Sequence, residues 1–164
     1  DHLHAEGARL TVADVRPEAT AAVAARTGAA VVPAGSAHAV PCDIFSPCAL
    51  GAVLDVTTIG QLACAAVVGS ANNQLATEED GPRIQASGVL YAPDYVVNAG
   101  GVINIAEEHR GYDHARAEAH IRRIHDTVLE VLDLAEAEGL TTADAADRLA
   151  ERRIDAARQA AQPA

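Results

Sequence analysis

The sequence predicts an α/β fold with a parallel sheet and crossover helices, followed by a helical C-terminal segment. Two observations predict the first part: short apolar runs recur, and they alternate with stretches that read as helices or polar loops. A third predicts the second part, because from Ala115 onward apolar residues recur every three or four positions. Arg9 to Val15 (R-L-T-V-A-D-V) ends in an acid, lies between Gly7 and Pro17, and reads as a buried parallel strand. Pro17 to Arg26 follows as a helix with Pro at its start, Glu18 in its first turn and Gly28 past its end. Ala29 to Val32 is a second small strand, and Cys42-Asp43-Ile44-Phe45 a third. Thr58 to Ala63 reads as a short helix and Ala65 to Val68 as a fourth strand. An asparagine-rich loop and a stretch around Arg83 to Ser87 lead to a fifth strand at Val89 to Tyr91. In the last third Ala117, Ile121, Ile124, Val128, Leu132 and Ala135 line one face of an amphipathic helix of about six turns, stopped by Gly139. Thr142-Ala143-Asp144 opens a final helix with a weaker stripe of Leu149, Ile154 and Ala157, running into a tail at Ala160 to Ala164.

Composition narrows the function. The 164 residues suffice for one ordinary domain and carry a formal net charge of −11, with 23 acidic against 12 basic residues. All the basic residues are arginine, and only Phe45, Tyr91, Tyr95 and Tyr112 are aromatic. An acidic, lysine-free, aromatic-poor chain is a poor match for phosphate backbones, so nucleic acid is not an expected partner. The absence of lysine excludes Schiff-base chemistry and a Walker-type phosphate lysine from this chain. No segment approaches the roughly 18 apolar residues of a membrane span. Cys42, Cys48 and Cys64 are an odd number, expected as free thiols in a reducing cytoplasm. Cys42 and Cys48 with His38 fit no usual zinc spacing, and no metal is expected. His2, His4, His109, His114, His120 and His125 are expected to be solvated. The chain opens inside what reads as a helix ending at Gly7, so we expect it to be the C-terminal part of a longer protein.

Parallel sheets bind ligands at the carboxyl ends of their strands. The positions to examine are therefore Asp14, Ser46 to Gly51, Ser70 to Gln74, and Asp94 to Asn98. An acid placed as Asp14 is either caps a turn or accepts hydrogen bonds from the ribose hydroxyls of a dinucleotide, where its charge repels a 2′-phosphate and favours NAD. Cys42 to Gly51 (C-D-I-F-S-P-C-A-L-G) is a loop after a strand, without a nearby cation to lower a cysteine pKa. Its small side chains suit close approach of a ligand. Gly69 to Leu75 (G-S-A-N-N-Q-L) places three amides after a strand, suited either to a neutral carboxamide or to a self-bonded turn. Asn98-Ala99-Gly100-Gly101 interrupts an apolar run with two glycines, which lets another backbone or a cofactor ring come close.

Five motifs in order then carry a resemblance: V-A-D-V at Val12 to Val15, C-D-I-F-S-P-C-A-L-G, G-S-A-N-N-Q-L-A, Y-A-P-D-Y-V-V-N-A-G-G-V-I-N, and A-A-D-R-L-A-E-R-R-I at Ala145 to Ile154. The chain resembles the glutamate/leucine/phenylalanine/valine dehydrogenases, and among them the branched-chain members, leucine dehydrogenase above all. The resemblance implies a Rossmann-type NAD-binding domain over residues 1–110, with its first strand and Gly-rich turn missing, and a C-terminal helical segment over 111–164. A sheet without that central strand would expose two interior edges. The implied activity of the whole protein is reversible oxidative deamination of L-leucine and other branched-chain amino acids to 2-oxo acids and ammonia. A phenylalanine or valine enzyme of the same family, or a non-catalytic nucleotide-binding module, is the alternative. The family's substrate-binding and acid–base lysines belong to an N-terminal domain this chain does not carry, so no catalytic residue is expected here. By resemblance Asp14, Val15 and Arg16 lie at the adenosine, Cys48, Ala49 and Leu50 along the cofactor, and Asn98 near the nicotinamide carboxamide. Asn72 is assigned to cofactor and Asn73 to substrate, although the two roles are open to exchange. Val102 and Ile105, three apart on one helical face, match positions lining the substrate pocket; two branched aliphatic walls favour an aliphatic side chain over a charged one. A homo-oligomer in the cytoplasm is the further implication.

Overall fold

The computed structural model describes residues 1–109 and 111–161, so part of the expected C-terminal tail lies outside the described residues. The chain forms two compact units, one of Asp1–Pro41 with Gln61–Ala63, the other of Cys42–Gly60 with the described residues from Cys64 onward.

In the first unit, α1 (His2–Ala5) precedes β1 (Thr11–Val12), α2 (Pro17–Thr27) and β2 (Ala30–Val31). The two strands pair in parallel, Thr11 beside Ala30 and Val12 beside Val31, with α2 as the crossover. Pro17, whose ring presets a helical φ, occupies the first turn of α2, and Gly28 ends it in the left-handed region at φ 69°. β1 is shorter than the run Arg9 to Val15 suggested, because β2 offers only two residues for it to pair with. A 3-10 turn spans Ala34–Ala39, and His38 Nε2 lies 2.7 Å from Gln61 Oε1.

The second unit holds β3 (Cys42–Phe45), β4 (Cys64–Val67) and β5 (Leu90–Tyr91) in a parallel sheet of that order. The described strands thus form two sheets rather than one, and β1 and β3 each have a strand neighbour on one side. The helices are α3 (Val56–Ile59), α4 (Asp80–Ala86), α5 (Asp94–Val97), α6 (Gly100–Glu108), α7 (His114–Glu138) and α8 (Thr142–Ala160). α3 starts two residues before the expected Thr58 and ends at Ile59. The cause is Asp55, whose Oδ1 accepts the N–H groups of Thr57 and Thr58 while its own N–H donates to Thr58 Oγ1. Leu54, Ile59, Val67, Ile84, Tyr91 and Ala92 form the buried centre around the sheet.

A second cluster lies between the last two helices: Val131 and Ala135 of α7 against Ala145 and Ala146 of α8, flanked by Val96, Leu134, Leu140 and Leu149. Two expectations need correction here. Val131 rather than Leu132 is the buried residue of that turn, and α8 buries alanines of its first turns while Ile154 stays exposed. Small side chains win because they admit close packing of the two helices joined by the turn at Gly139, which sits at φ 66°. His120 is also not simply solvated. Its Nδ1 lies 3.0 Å from Oε1 of Glu107, a buried carboxylate whose other oxygen meets Arg116 Nε. Burying a carboxylate is costly unless polar partners satisfy it, and α7 supplies both the Arg116 guanidinium and the His120 imidazole.

Glu138, at the end of α7, pairs with Arg152 (2.7 Å) and Arg148 of α8. The hydrogen bonds from Arg152 and then Arg148 hold its carboxyl below the usual carboxylate range. A depressed carboxylate adds stability above its unfolded pKa, about 4.3, and loses it as pH falls through the folded value. We expect Glu138→Gln to flatten the acid limb of a pH–stability curve below about pH 4.3 relative to the unsubstituted chain, as measured by urea unfolding. Parallel curves would show that the pairs contribute nothing.

Candidate functional site

Two loops at the carboxyl ends of β3 and β4 meet backbone to backbone. After β3 the chain turns at Pro47 and runs through Cys48, Ala49 and Leu50 to Gly51; after β4 it passes Gly69 and Ser70 to Gln74. Ala71 N donates to Pro47 O (3.0 Å), Ala52 N to Asn73 O (2.6 Å) and Leu54 N to Gln74 O (2.9 Å). Glycine is required at two of these crossings. A Cβ on Gly69 would lie 2.2 Å from Pro47 O, and one on Gly51 would lie 2.6 Å from Asn72 O. The small side chains of the Cys42 to Gly51 loop are expected to admit a ligand; at Gly51 the neighbour is the chain itself, as it is at Gly69.

The second loop is anchored from inside. Gln74 is fully buried, and its Nε2 donates to Gly69 O (2.7 Å) and Ala71 O (3.0 Å). Asn73 sits at φ 52°, an uncommon conformation for a residue with a side chain. Its N–H donates to Asp94 Oδ2 at 2.8 Å. The other oxygen of Asp94 accepts the Tyr91 hydroxyl at 2.7 Å, and the carboxylate is buried. Burial, then the bond to Asp94, raises the Tyr91 pKa, so the hydroxyl keeps its proton as a donor. Asp94 thereby ties the end of β5 and the start of α5 to the amide-bearing loop.

That tie brings two amides together. Asn98, just after α5, donates from Nδ2 to Asn72 Oδ1 at 2.6 Å and to Ser70 O at 3.4 Å. Next to Asn98, α6 opens with Gly100 and Gly101, where an added Cβ would meet nothing within 4 Å. The surface there is open to a ligand. Val102 and Ile105 are 65% and 57% exposed. The two stand about one helical turn apart on α6.

Cys48 lies 3.3 Å from Ser46 Oγ, and Ala49 and Leu50 beside it are exposed. Burial alone would raise the Cys48 thiol pKa; hydrogen bonds from Ser46 and from the backbone and hydroxyl of Ser70 outweigh it and leave the thiol lowered. Sequence reading sought a cation for such an effect and found none; hydroxyl and backbone donors do the same work.

Asp14, Val15 and Arg16 lie in the first unit, beyond the end of β1. Asp14 Oδ1 accepts the Arg16 N–H at 2.8 Å and lies 3.3 Å from Arg16 Nε. The backbone bond from Arg16, and then its guanidinium, hold the carboxyl below its ordinary range, so Asp14 is ionised and acceptor-only at neutral pH. Val15 is exposed, at 86%.

The structure therefore brings Cys48, Asn72, Asn73 and Asn98 onto adjoining loops, with Val102 and Ile105 on the helix that follows. Tyr91, Gln74 and Asp94 were missed as individual residues. Asp94 and Gln74 fell within the strand-end segments singled out, but nothing in their spacing showed that they hold the amides. For Tyr91 and Asp94 the i,i+3 spacing is a weak signal, since here it spans a strand end rather than a helix.

Comparison with known proteins adds the following. The sequence profile of the family described as Glutamate/Leucine/Phenylalanine/Valine dehydrogenase matches residues 7–161. A leucine dehydrogenase of Bacillus cereus is 48% identical over 153 residues, which are 93% of this chain and 42% of that protein. The crystal structure of L-tryptophan dehydrogenase from Nostoc punctiforme superposes with a TM-score of 0.92 at 43% identity, covering 94% of this chain and 47% of that one. A hetero-hexameric glutamate dehydrogenase from Thermus thermophilus shares the fold, with a TM-score of 0.63 at 21% identity over 96% of this chain and 48% of that one. The chain spans less than half the length of each of these proteins. Among the described residues no helix is long and apolar enough to cross a membrane.

Proposed function

The chain belongs to the glutamate/leucine/phenylalanine/valine dehydrogenase family, and from that premise we propose that it is the cofactor-binding part of an NAD-dependent enzyme that deaminates branched-chain L-amino acids, L-leucine first among them, to 2-oxo acids and ammonia. The observation that carries this reading is the Asn72–Asn98 amide pair beside the open Gly100–Gly101 surface, with Val102 and Ile105 following on the same helix. NAD, when bound, supplies the hydride acceptor. Asp14 would accept the ribose hydroxyls with its ionised carboxylate, and Val15 and Arg16 would flank the adenosine. The loop of Cys48, Ala49 and Leu50 would lie along the cofactor, with Asn98 and Asn72 holding the carboxamide. Asn73, on the loop fixed by Asp94, would face the substrate. Val102 and Ile105 would line its aliphatic side chain and exclude water from it. The family's acid–base lysines have no counterpart in this lysine-free chain, so deprotonation of the substrate amino group is assigned to a separate substrate domain. It is proposed to be cytoplasmic and self-associating.

Steady-state assays of the protein encoded by the gene test this, following cofactor reduction with leucine, valine, isoleucine, phenylalanine and tryptophan. The largest kcat/KM is expected with a branched-chain substrate and NAD. No reduction with any of them would leave a non-catalytic nucleotide-binding module as the reading. The likeness to a tryptophan dehydrogenase favours an aromatic substrate as the second reading, and a preference for phenylalanine or tryptophan would establish it.

Two substitutions refine the site. Ile105→Ala is expected to lower kcat/KM for leucine at least tenfold while leaving turnover of a smaller aliphatic substrate nearer normal, since methylene contacts in such pockets discriminate about 10–200-fold. Equal losses for all substrates would argue against a side-chain pocket there. Asp14→Ala is expected to raise KM for NAD about tenfold and to narrow the preference over NADP, because it removes both the ribose acceptor and the charge that repels a 2′-phosphate. An unchanged cofactor preference would remove Asp14 from the site.

A further inference from the structure

A groove of about 550 Å³ lies among the C-terminal helices, on ground that none of the proposed cofactor or substrate residues lines. α5 and the turn after it supply Tyr95, Val96 and Ala99, α6 supplies Ile103, and α7 and α8 close the other sides. Ile103 lies between Val102 and Ile105 in sequence, but the helical repeat of about 100° per residue turns it to a different face. The groove is thus separate from the proposed substrate wall.

Its chemistry is unlike the rest of the molecule. The chain has 23 acidic and 12 basic residues, yet the lining holds His120, Arg123 and Arg153 and no carboxylate. His120 is engaged with Glu107, and Arg153 with Glu130 at 2.6 Å. Arg123 has no acidic partner among the described residues. Thr127, one turn along α7, adds a hydroxyl to the same wall. The rest of the lining is largely aliphatic, with Val96, Ile103, Ile124, Val131, Leu149 and Ile154. A volume between about 300 and 1,000 Å³, mostly apolar with a few placed polar groups, is the usual form of a small-molecule site. An unpaired guanidinium in such a lining selects a carboxylate, which it can hold through two parallel N–H···O bonds.

We propose that the groove bounded by α5, α6, α7 and α8 is a second small-molecule site that takes an aliphatic monocarboxylate of medium length, its carboxylate on Arg123 and Thr127 and its chain along Ile103, Leu149 and Ile154. The apolar body would be buried among the helices, and the charge would sit at Arg123, the guanidinium of the lining without an acidic partner among the described residues. Because α6 carries both Ile103 and the proposed substrate wall, occupation of the groove bears on the same helix from its other side.

The experiment is titration calorimetry of sodium octanoate into the protein as encoded by its gene, with octylammonium chloride as the charge-reversed control. Octanoate is expected to bind with a stoichiometry near one per chain, and octylammonium not to bind. Arg123→Gln, an exposed and unpaired position, should leave the melting temperature unchanged and weaken octanoate about tenfold or more, as loss of a charge-assisted bond implies. Ala150→Trp, which fills the groove from α8, should abolish binding while circular dichroism stays native. Octanoate that binds both variants as tightly as the parent protein, octylammonium that binds equally well, or no binding at millimolar octanoate would each overturn the proposal. So would sedimentation showing that Ala150→Trp disperses an oligomer, since the groove would then be a subunit contact.

Discussion

Gly69→Ala is expected to destabilise the second unit by about 3 kcal/mol or more and to dismantle the loop pair that carries the candidate site. The new methyl group would stand 2.2 Å from Pro47 O, 2.5 Å from Pro47 Cδ and 2.6 Å from Pro47 N. Two of those atoms are backbone, Pro47 is buried, and its ring cannot rotate away. Relief requires separating the strand-end loops and breaking the bond from Ala71 N to Pro47 O. Urea unfolding followed by far-ultraviolet circular dichroism measures the loss. Gly101→Ala is the matched control. Its methyl group would enter open space within a helix, where alanine is preferred over glycine by up to about 1 kcal/mol. Stability should therefore rise or hold, while affinity for a nucleotide falls if the ring comes close there. A Gly69→Ala protein as stable as the parent would refute the close approach.

Asp94→Ala is the second large effect, expected to cost about 3 kcal/mol, because a buried donor left unpaired costs about 1–3 kcal/mol and this substitution strands one buried and one half-buried donor. One is the Tyr91 hydroxyl; the other is the N–H of Asn73, already held at φ 52°. The loop would lose the bond that offsets its backbone strain. Nucleotide affinity should fall with stability, since Asn72 and Asn98 depend on the same loop. Asp94→Asn should recover part of the loss, because one oxygen remains to accept while the amide nitrogen opposes the other donor. Adding Tyr91→Phe to Asp94→Ala should cost less than Tyr91→Phe alone, since the hydroxyl is then already without its acceptor. Additive losses would show that Tyr91 and Asp94 are not coupled.

Much of this architecture was readable one residue at a time. β3 spans Cys42–Phe45 as its apolar run predicts, and α7 spans His114–Glu138, within a residue of its periodic pattern. Pro17, Gly28 and Gly139 mark helix limits because their allowed backbone angles leave little choice. The strand-end positions that should face a ligand followed from sheet topology alone, and the two glycines after Asn98 do open the surface beside it. The buried face of α8 was misread, since apolar size points to Ile154 whereas packing against Val131 and Ala135 selects Ala145 and Ala146. Glu107 was passed over altogether, because an acid in a helix reads as solvated until Arg116 and His120 are seen around it.

By itself the sequence determined the alternation of strands and helices, the family, and the segments that make up the candidate site. Those properties depend on local backbone preference and on motif order, which act over a few residues. Tertiary structure alone decided that Gly51 and Gly69 serve chain-to-chain approach, that Asp94 reaches 21 residues back to Asn73, and that Arg123 lines a groove whose other basic residues, His120 and Arg153, are already engaged by acids. Each depends on two distant segments arriving at the same place, and hydrogen bonds and steric exclusion act on distance in space rather than separation along the chain.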